Sequence, residues 1–322
     1  FRKRVQMDQP PKIARIFVSA DSRYKLYVNG SYVGNGPLKG DPYRQFYETF
    51  DISQYLIPGE NVIAAYVLRF PPDDRKAVTF ETGPVSLVNN SRGGFFLQGE
   101  SEAGFDTDES WKTSLDPAYT FVHSIKSRYA GDMEEVDGRK SLTGWEQRDF
   151  EDNRWQRAIC VGAGDGVTPY GVVSGWQLTK RPLPQLYEKS ITPIAWRSPG
   201  GQMDFTPLSE GRGVAIAPHT DCQVILDMGE LVTSYVQLQM EGGRHSRVQL
   251  LYSECYGYKD PTTGEIRKGD RTDFLHGDLY GETDVYWKGD GGQWYEPFFF
   301  RTFRYLRISI YTQDQPLFLK QL

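Results

Sequence analysis

Two-residue alternation of apolar and polar side chains recurs along the whole chain and limits the fold more than any other feature. In Val236-Gln237-Leu238-Gln239-Met240-Glu241 the apolar side chains fall on one side and the polar ones on the other, as a half-buried strand requires. Leu306, Ile308 and Ile310 alternate in the same way with Arg307 and Ser309, and Tyr24, Leu26 and Val28 with Lys25 and Asn29. Further strand-like runs lie at 13–19, 62–68, 95–100, 222–228, 247–252 and 283–287, each bounded by Gly, Pro, Asn or Asp. No long segment has the i, i+3, i+4, i+7 spacing of an amphipathic helix. Parallel βαβ folds, whose crossovers need helices, are therefore excluded, and β-sandwich or barrel remains.

At about 100–200 residues per domain, a chain of 322 residues is expected to form two domains. The reading is an all-β chain of two antiparallel β-sandwiches. Its 20 Tyr, 18 Phe, 7 Trp, 33 Gly and 19 Pro suit strands joined by many turns. Pro182, Pro184, Pro193 and Pro199 cluster between the halves, where missing N–H donors preclude regular ladders. The expected division is a first sandwich over 1–183, a Pro-rich linker over 184–200, a second sandwich over 201–312 and a lead-in to a further domain over 313–322. Asn29-Gly30 is the dipeptide of a type I′ hairpin turn. With Ser31 it also forms a glycosylation sequon, but the turn explains it.

Acidic residues outnumber basic ones, 42 to 37, for a net charge of −5, which argues against a nucleic-acid partner. No apolar run approaches the roughly 18 residues of a membrane span. Cys160, Cys222 and Cys255 show no C-x-x-C spacing, and His123, His219, His245 and His276 show no zinc or nucleophile motif. Asp270-Arg271-Thr272-Asp273 with His276 and Asp278 has the chemistry for metal or proton transfer, but between Gly269 and Gly277 it reads as a solvated loop. The chain opens on Phe1-Arg2-Lys3-Arg4 with no apolar signal core, the expectation for a piece of a longer protein.

Ordered motifs carry a resemblance. Val18-Ser19-Ala20-Asp21, Tyr24-Lys25-Leu26-Tyr27-Val28-Asn29-Gly30, Gly36-Pro37, Tyr47-Glu48-Thr49-Phe50-Asp51-Ile52 and Pro58-Gly59-Glu60-Asn61-Val62 resemble the N-terminal sandwich of bacterial α-L-rhamnosidases. So do Asp108-Glu109-Ser110-Trp111, Gly144-Trp145, Asp152 with Trp155-Gln156-Arg157-Ala158, and the linker-like Arg181-Pro182-Leu183-Pro184. Leu226-Asp227-Met228-Gly229, Leu251-Tyr252-Ser253-Glu254, Thr283-Asp284-Val285-Tyr286, Trp294-Tyr295-Glu296-Pro297 and Phe303-Arg304-Tyr305 resemble that family's second sandwich.

The resemblance implies a galactose-binding-like jelly roll followed by a second β-sandwich, both belonging to an enzyme that releases terminal α-L-rhamnose with inversion. Inversion needs a carboxylic acid and a carboxylate about 6.5–9.5 Å apart. In this family both lie in a helical (α/α) barrel that follows the sandwiches, so no catalytic residue is expected within the 322 residues, and none is expected to hydrolyse a glycoside. The expected partners are a rhamnose-containing glycoside, the barrel and a second copy in a homodimer, with a periplasmic or secreted setting expected over the cytoplasm. A stand-alone carbohydrate-binding module and purely bracing domains are the alternatives.

The family also implies a rhamnose site in the first sandwich, in some members assisted by Ca²⁺ near a Glu-Tyr-Asp-x-Arg-like stretch. The comparable stretch here is 129–139, where Asp132, Glu135 and Asp137 are the implied calcium ligands and, with Arg139, the implied sugar contacts, an exposed acidic loop with no ligand being the alternative; Trp145 is a candidate sugar platform by residue type. Val136 replaces the family's aromatic, and Gly138 supplies no ligand beside Asp137. Trp111 and Trp155 are expected in the core. Trp287, Trp294 and Phe298-Phe299-Phe300 are apolar enough to dock the barrel, although a plain core strand accounts for the Phe run.

Overall fold

In the computed structural model, Asn29 and Gly30 take φ of 51° and 82°, the left-handed pair that a type I′ turn requires. They join the antiparallel strands Arg23–Val28 and Ser31–Gly36. The Asn29 amide is spent inside the fold. It donates to the Tyr55 carbonyl and to Asn61 Oδ1, both at 2.8 Å, while its own Oδ1 accepts from the Val62 N–H at 2.8 Å. The structure describes residues 1–40, 44–69, 93–100, 104–122, 133–162, 164–168, 171–201 and 203–322. Among these, no helix is long and apolar enough to cross a membrane.

The chain divides into two compact units, and each is a β-sandwich. In the first, a six-stranded sheet runs in the order Gln156–Arg157, Lys112–Thr113, Arg2–Met7, Gly59–Leu68, Arg23–Val28, Ser31–Gly36. A five-stranded sheet runs Asp165–Thr168, Gly171–Lys180, Gln45–Asp51, Arg15–Asp21, Gly94–Gly99. Alternation dictates the core: Ile16, Val18 and Ala20 from one sheet and Leu26, Val28, Ile63 and Ala65 from the other pack with Leu97, Phe105 and Trp111. Trp111 is fully buried, its indole N–H bonded to the Asp106 carbonyl at 2.9 Å, a core role as expected from sequence.

The second unit pairs a seven-stranded sheet with a four-stranded one. The larger runs Ala195–Arg197, Asp221–Ser234, Arg301–Tyr311, Arg247–Ser253, Glu282–Trp287, Met133–Asp137, Tyr119–Val122. The smaller runs Val214–Ile216, Leu317–Gln321, Leu238–Gly242, Gly292–Tyr295. Val224, Leu226, Val248, Leu250, Ile308 and Ile310 face Ile216, Leu238, Met240, Leu317 and Leu319 across the core.

Three boundaries differ from those expected. Asp116–Ser141, expected inside a first domain of 1–183, belongs to the second unit, because Met133–Asp137 adds in parallel to Glu282–Trp287. The stretch expected as a lead-in over 313–322 is instead an inner strand of the four-stranded sheet: Leu319 pairs with both Val214 and Met240, and apolar Phe318 between Leu317 and Leu319 hides the alternation. The expected linker over 184–200 contributes its own strand, with Trp196 opposite Leu226.

Candidate functional site

One face of the seven-stranded sheet covers the core of the second unit, and the other faces outward. Strand register fixes the outward rows. Asp221 stands beside Tyr311, Tyr311 beside Arg247, Arg247 beside Trp287, and Trp287 beside Asp137. Two residues along, the same strands present Gln223, Ser309, Gln249, Val285 and Glu135 as a second row. Farther on, Ile225, Leu251 and Tyr305 are covered by Tyr256 and Leu279, which belong to a small sheet of Tyr256–Lys259, Ile266–Arg267 and Asp278–Leu279. The first two rows take no part in that cluster.

Guanidinium groups and rings alternate along the first row. The Arg247 Cζ lies 5.7 Å from the Trp287 ring centre and 5.8 Å from that of Tyr311, and the Arg139 Cζ lies 5.9 Å from Trp287, all within cation–π reach. Arg139 grips Asp137 with two bonds of 2.6 and 2.8 Å and also meets His245 Nδ1 at 3.1 Å. The hydrogen bonds and charge of Arg139 hold the Asp137 carboxyl down at about 2. The indole N–H of Trp287 donates to Glu135 Oε1 at 2.9 Å.

These contacts bear on the calcium implied by the family resemblance. Asp132 lies outside the described residues. Of the other two implied ligands, Asp137 is ion-paired with Arg139 and with Lys140 at 3.4 Å, and Glu135 accepts from an indole. Among the described residues no three His, Cys, Asp or Glu side chains gather as a metal site. Glu135, Asp137 and Arg139 belong to the second unit and Trp145 to the first; the structure does not assemble them into one site within either unit.

Trp145 is half-buried in an aromatic cluster. Its ring lies 5.6 Å from Tyr27, 5.7 Å from Tyr66 and 6.5 Å from Trp155, stacked on the last. Nearby, buried Asp152 takes Arg2 and Lys112, the latter at 2.6 Å. In the loop 270–278, Asp273 accepts from the Tyr258 hydroxyl at 2.6 Å and meets His276 Nδ1 at 3.1 Å, while Asp278 pairs with Arg307 at 2.7 Å. Trp294 is 57% exposed on the edge strand Gly292–Tyr295, whereas Phe298 is buried and its neighbours Phe299 and Phe300 are half-buried.

Reading from sequence missed two features. Asp284, fully buried, accepts two bonds from Arg301 at 2.9 and 2.8 Å and one from the Glu134 N–H at 2.7 Å. Glu134 in turn accepts from the Phe298 N–H at 2.7 Å. This network pins Met133–Asp137 to the second sandwich. The other feature is the Tyr311, Arg247, Trp287 row, whose members are 24 to 64 positions apart in the chain and announce themselves by no motif.

The chain matches the family model of the α-L-rhamnosidase N-terminal domain over residues 9–169, and that of the bacterial α-L-rhamnosidase concanavalin-like domain over residues 218–321. It is 25% identical over 314 residues to an α-L-rhamnosidase of Streptomyces avermitilis, covering 92% of this chain and 25% of that one. An α-L-rhamnosidase of Formosa agariphila is 21% identical, with 96% and 29% covered. The chain thus spans about a quarter of the length of these curated relatives. Two solved structures share the fold. A rhamnosidase of Bacillus sp. GL1 matches at a TM-score of 0.72 and 16% identity, with 99% of this chain and 52% of that one covered. The α-L-rhamnosidase of Dictyoglumus thermophilum matches at 0.61 and 24%, with 98% and 31% covered.

Proposed function

Because the chain belongs to the α-L-rhamnosidase family and carries that family's N-terminal and concanavalin-like domains in order, we propose that it is the non-catalytic sandwich portion of an enzyme releasing terminal α-L-rhamnose with inversion. In this reading, the acid and base of hydrolysis reside in a part of the protein outside these 322 residues, and the two sandwiches brace it.

One observation carries the proposal: the two family domains cover residues 9–169 and 218–321 of the chain, while the relatives are about three to four times as long. The conspicuous carboxylates support it. Glu48, Asp152, Asp284 and Glu134 are buried and bonded to arginine, lysine or backbone N–H groups, employed as structural ion pairs rather than poised to protonate a glycosidic oxygen or activate water. For Trp145, the packing against Tyr27, Tyr66 and Trp155 favours bracing over a free sugar platform.

The test is turnover of a chromogenic aryl α-L-rhamnoside by the 322-residue chain. Release no faster than in buffer is expected. Sustained turnover at any rate abolished by heat denaturation would overturn the proposal.

A further inference from the structure

We propose that the outward rows around Arg247 form a binding site for an acidic saccharide, with Arg247 receiving the sugar's carboxylate. That the occupant is a saccharide rests on the reading above, in which the chain is part of a carbohydrate-active protein.

Arg247 differs from most arginines around it. Arg139, Arg301, Arg304 and Arg307 are each paired with an aspartate. The half-buried Arg247 has no ion pair among the described residues, and its Nε is buried without a hydrogen-bond partner. Its two Nη groups, which donate to no carboxylate among the described residues, are the donors left for a ligand oxygen. The Trp287 and Tyr311 rings on either side hold the planar fork in place, and a guanidinium fork matches a carboxylate in a bidentate way.

The neighbouring row supplies what a sugar ring needs beside the acid. The half-buried Gln223 and Gln249 offer two amides on either side of buried Ser309, and neither amide is bonded to another described residue. Five adjacent strands carry the rows, and four spacings of about 4.8 Å make a strip about 19 Å long, enough for a short oligosaccharide.

Charge narrows the choice of ligand. Asp221, Glu135 and Asp137 border the strip, so a phosphodiester chain or other polyanion is repelled, while a single carboxylate matches the Arg247 guanidinium.

The experiment is calorimetric titration of the 322-residue chain with aldotriouronate, a glucuronosyl xylobiose that carries one carboxylate, with its methyl ester, and with sodium acetate. Aldotriouronate is expected to bind, the ester about tenfold or more weakly, and acetate more weakly still. Arg247→Gln is expected to weaken the acid by about tenfold and leave the ester unchanged. Equal affinity for acid and ester removes the carboxylate assignment. Acetate binding as tightly as the trisaccharide makes this an anion site, and no heat from any ligand refutes the site altogether. If Arg247→Gln does not fold, as judged by its thermal melt, the acid and ester comparison on the unsubstituted chain still decides. Rhamnoside turnover, measured separately, judges the family function independently.

Discussion

The three cysteines show how differently one residue type behaves in the two units. Cys160 is exposed, while Cys222 and Cys255 are buried. Burial, with a smaller contribution from Asp221, pushes the Cys222 thiol up to about 11, so its thiolate is scarce at neutral pH as well as shielded. Titration of the native chain with a chromogenic disulfide reagent is expected to release one fast equivalent, with the other two appearing only in denaturant; three fast equivalents would contradict the packing. Side-chain type foretold the core role of Trp111 but not the surroundings of Trp145, because a tryptophan in a turn motif takes its neighbours from distant strands. Asp137 makes the same point: its nearest charge, Arg139, is two positions away and readable, whereas Trp287, against which Arg139 lies, is not.

At the level of the element, the informative case is Met133–Asp137. Its alternation is weak on paper, since Glu134 occupies an inward position between Met133 and Val136. Burial of Glu134 is sustained by the Phe298 N–H, and the adjacent Asp284 and Arg301 form a compensated pair in the same region. Removing one partner of such a pair leaves an uncompensated buried charge, which costs about 3–5 kcal/mol. Asp284→Ala is therefore expected to lose stability of that order in urea unfolding, while Asp221→Asn on the exposed row changes it by no more than about 0.5 kcal/mol. Equal, small losses from both would show that the network contributes little. The Arg23–Val28 hairpin lies at the opposite extreme, since its turn, register and length follow from Asn29-Gly30 and the alternation beside it.

For the molecule as a whole, the two sandwiches are not two consecutive stretches of chain. Asp116–Ser141 leaves the first unit and completes the second before the chain returns. A fragment of residues 188–322 lacks the strand Met133–Asp137, whose Glu135–Asp137 pair with Val285–Trp287, and leaves an open sheet edge prone to association. It is expected to aggregate or melt without a cooperative transition in calorimetry. A sharp transition matching that of the full chain's second unit would show the inserted strand to be dispensable.

The sequence by itself determined where the strongly alternating strands and the Asn29-Gly30 turn form, that the chain is all β, and which family it resembles. Alternation, turn dipeptides and ordered motifs are local properties, readable within a few residues. Only the tertiary structure decided which sheet each strand joins, that Leu317–Gln321 sits inside the second sandwich, and that Tyr311, Arg247 and Trp287 stand side by side. The physical reason is that sheet ladders are built from backbone N–H and C=O groups that nearly every residue carries. A strand's own residues therefore specify its faces but not its partner, and the partner is chosen by burial and charge compensation across separations such as that of Glu135 and Val285. A site assembled from one residue on each of several strands exists only after that choice is made.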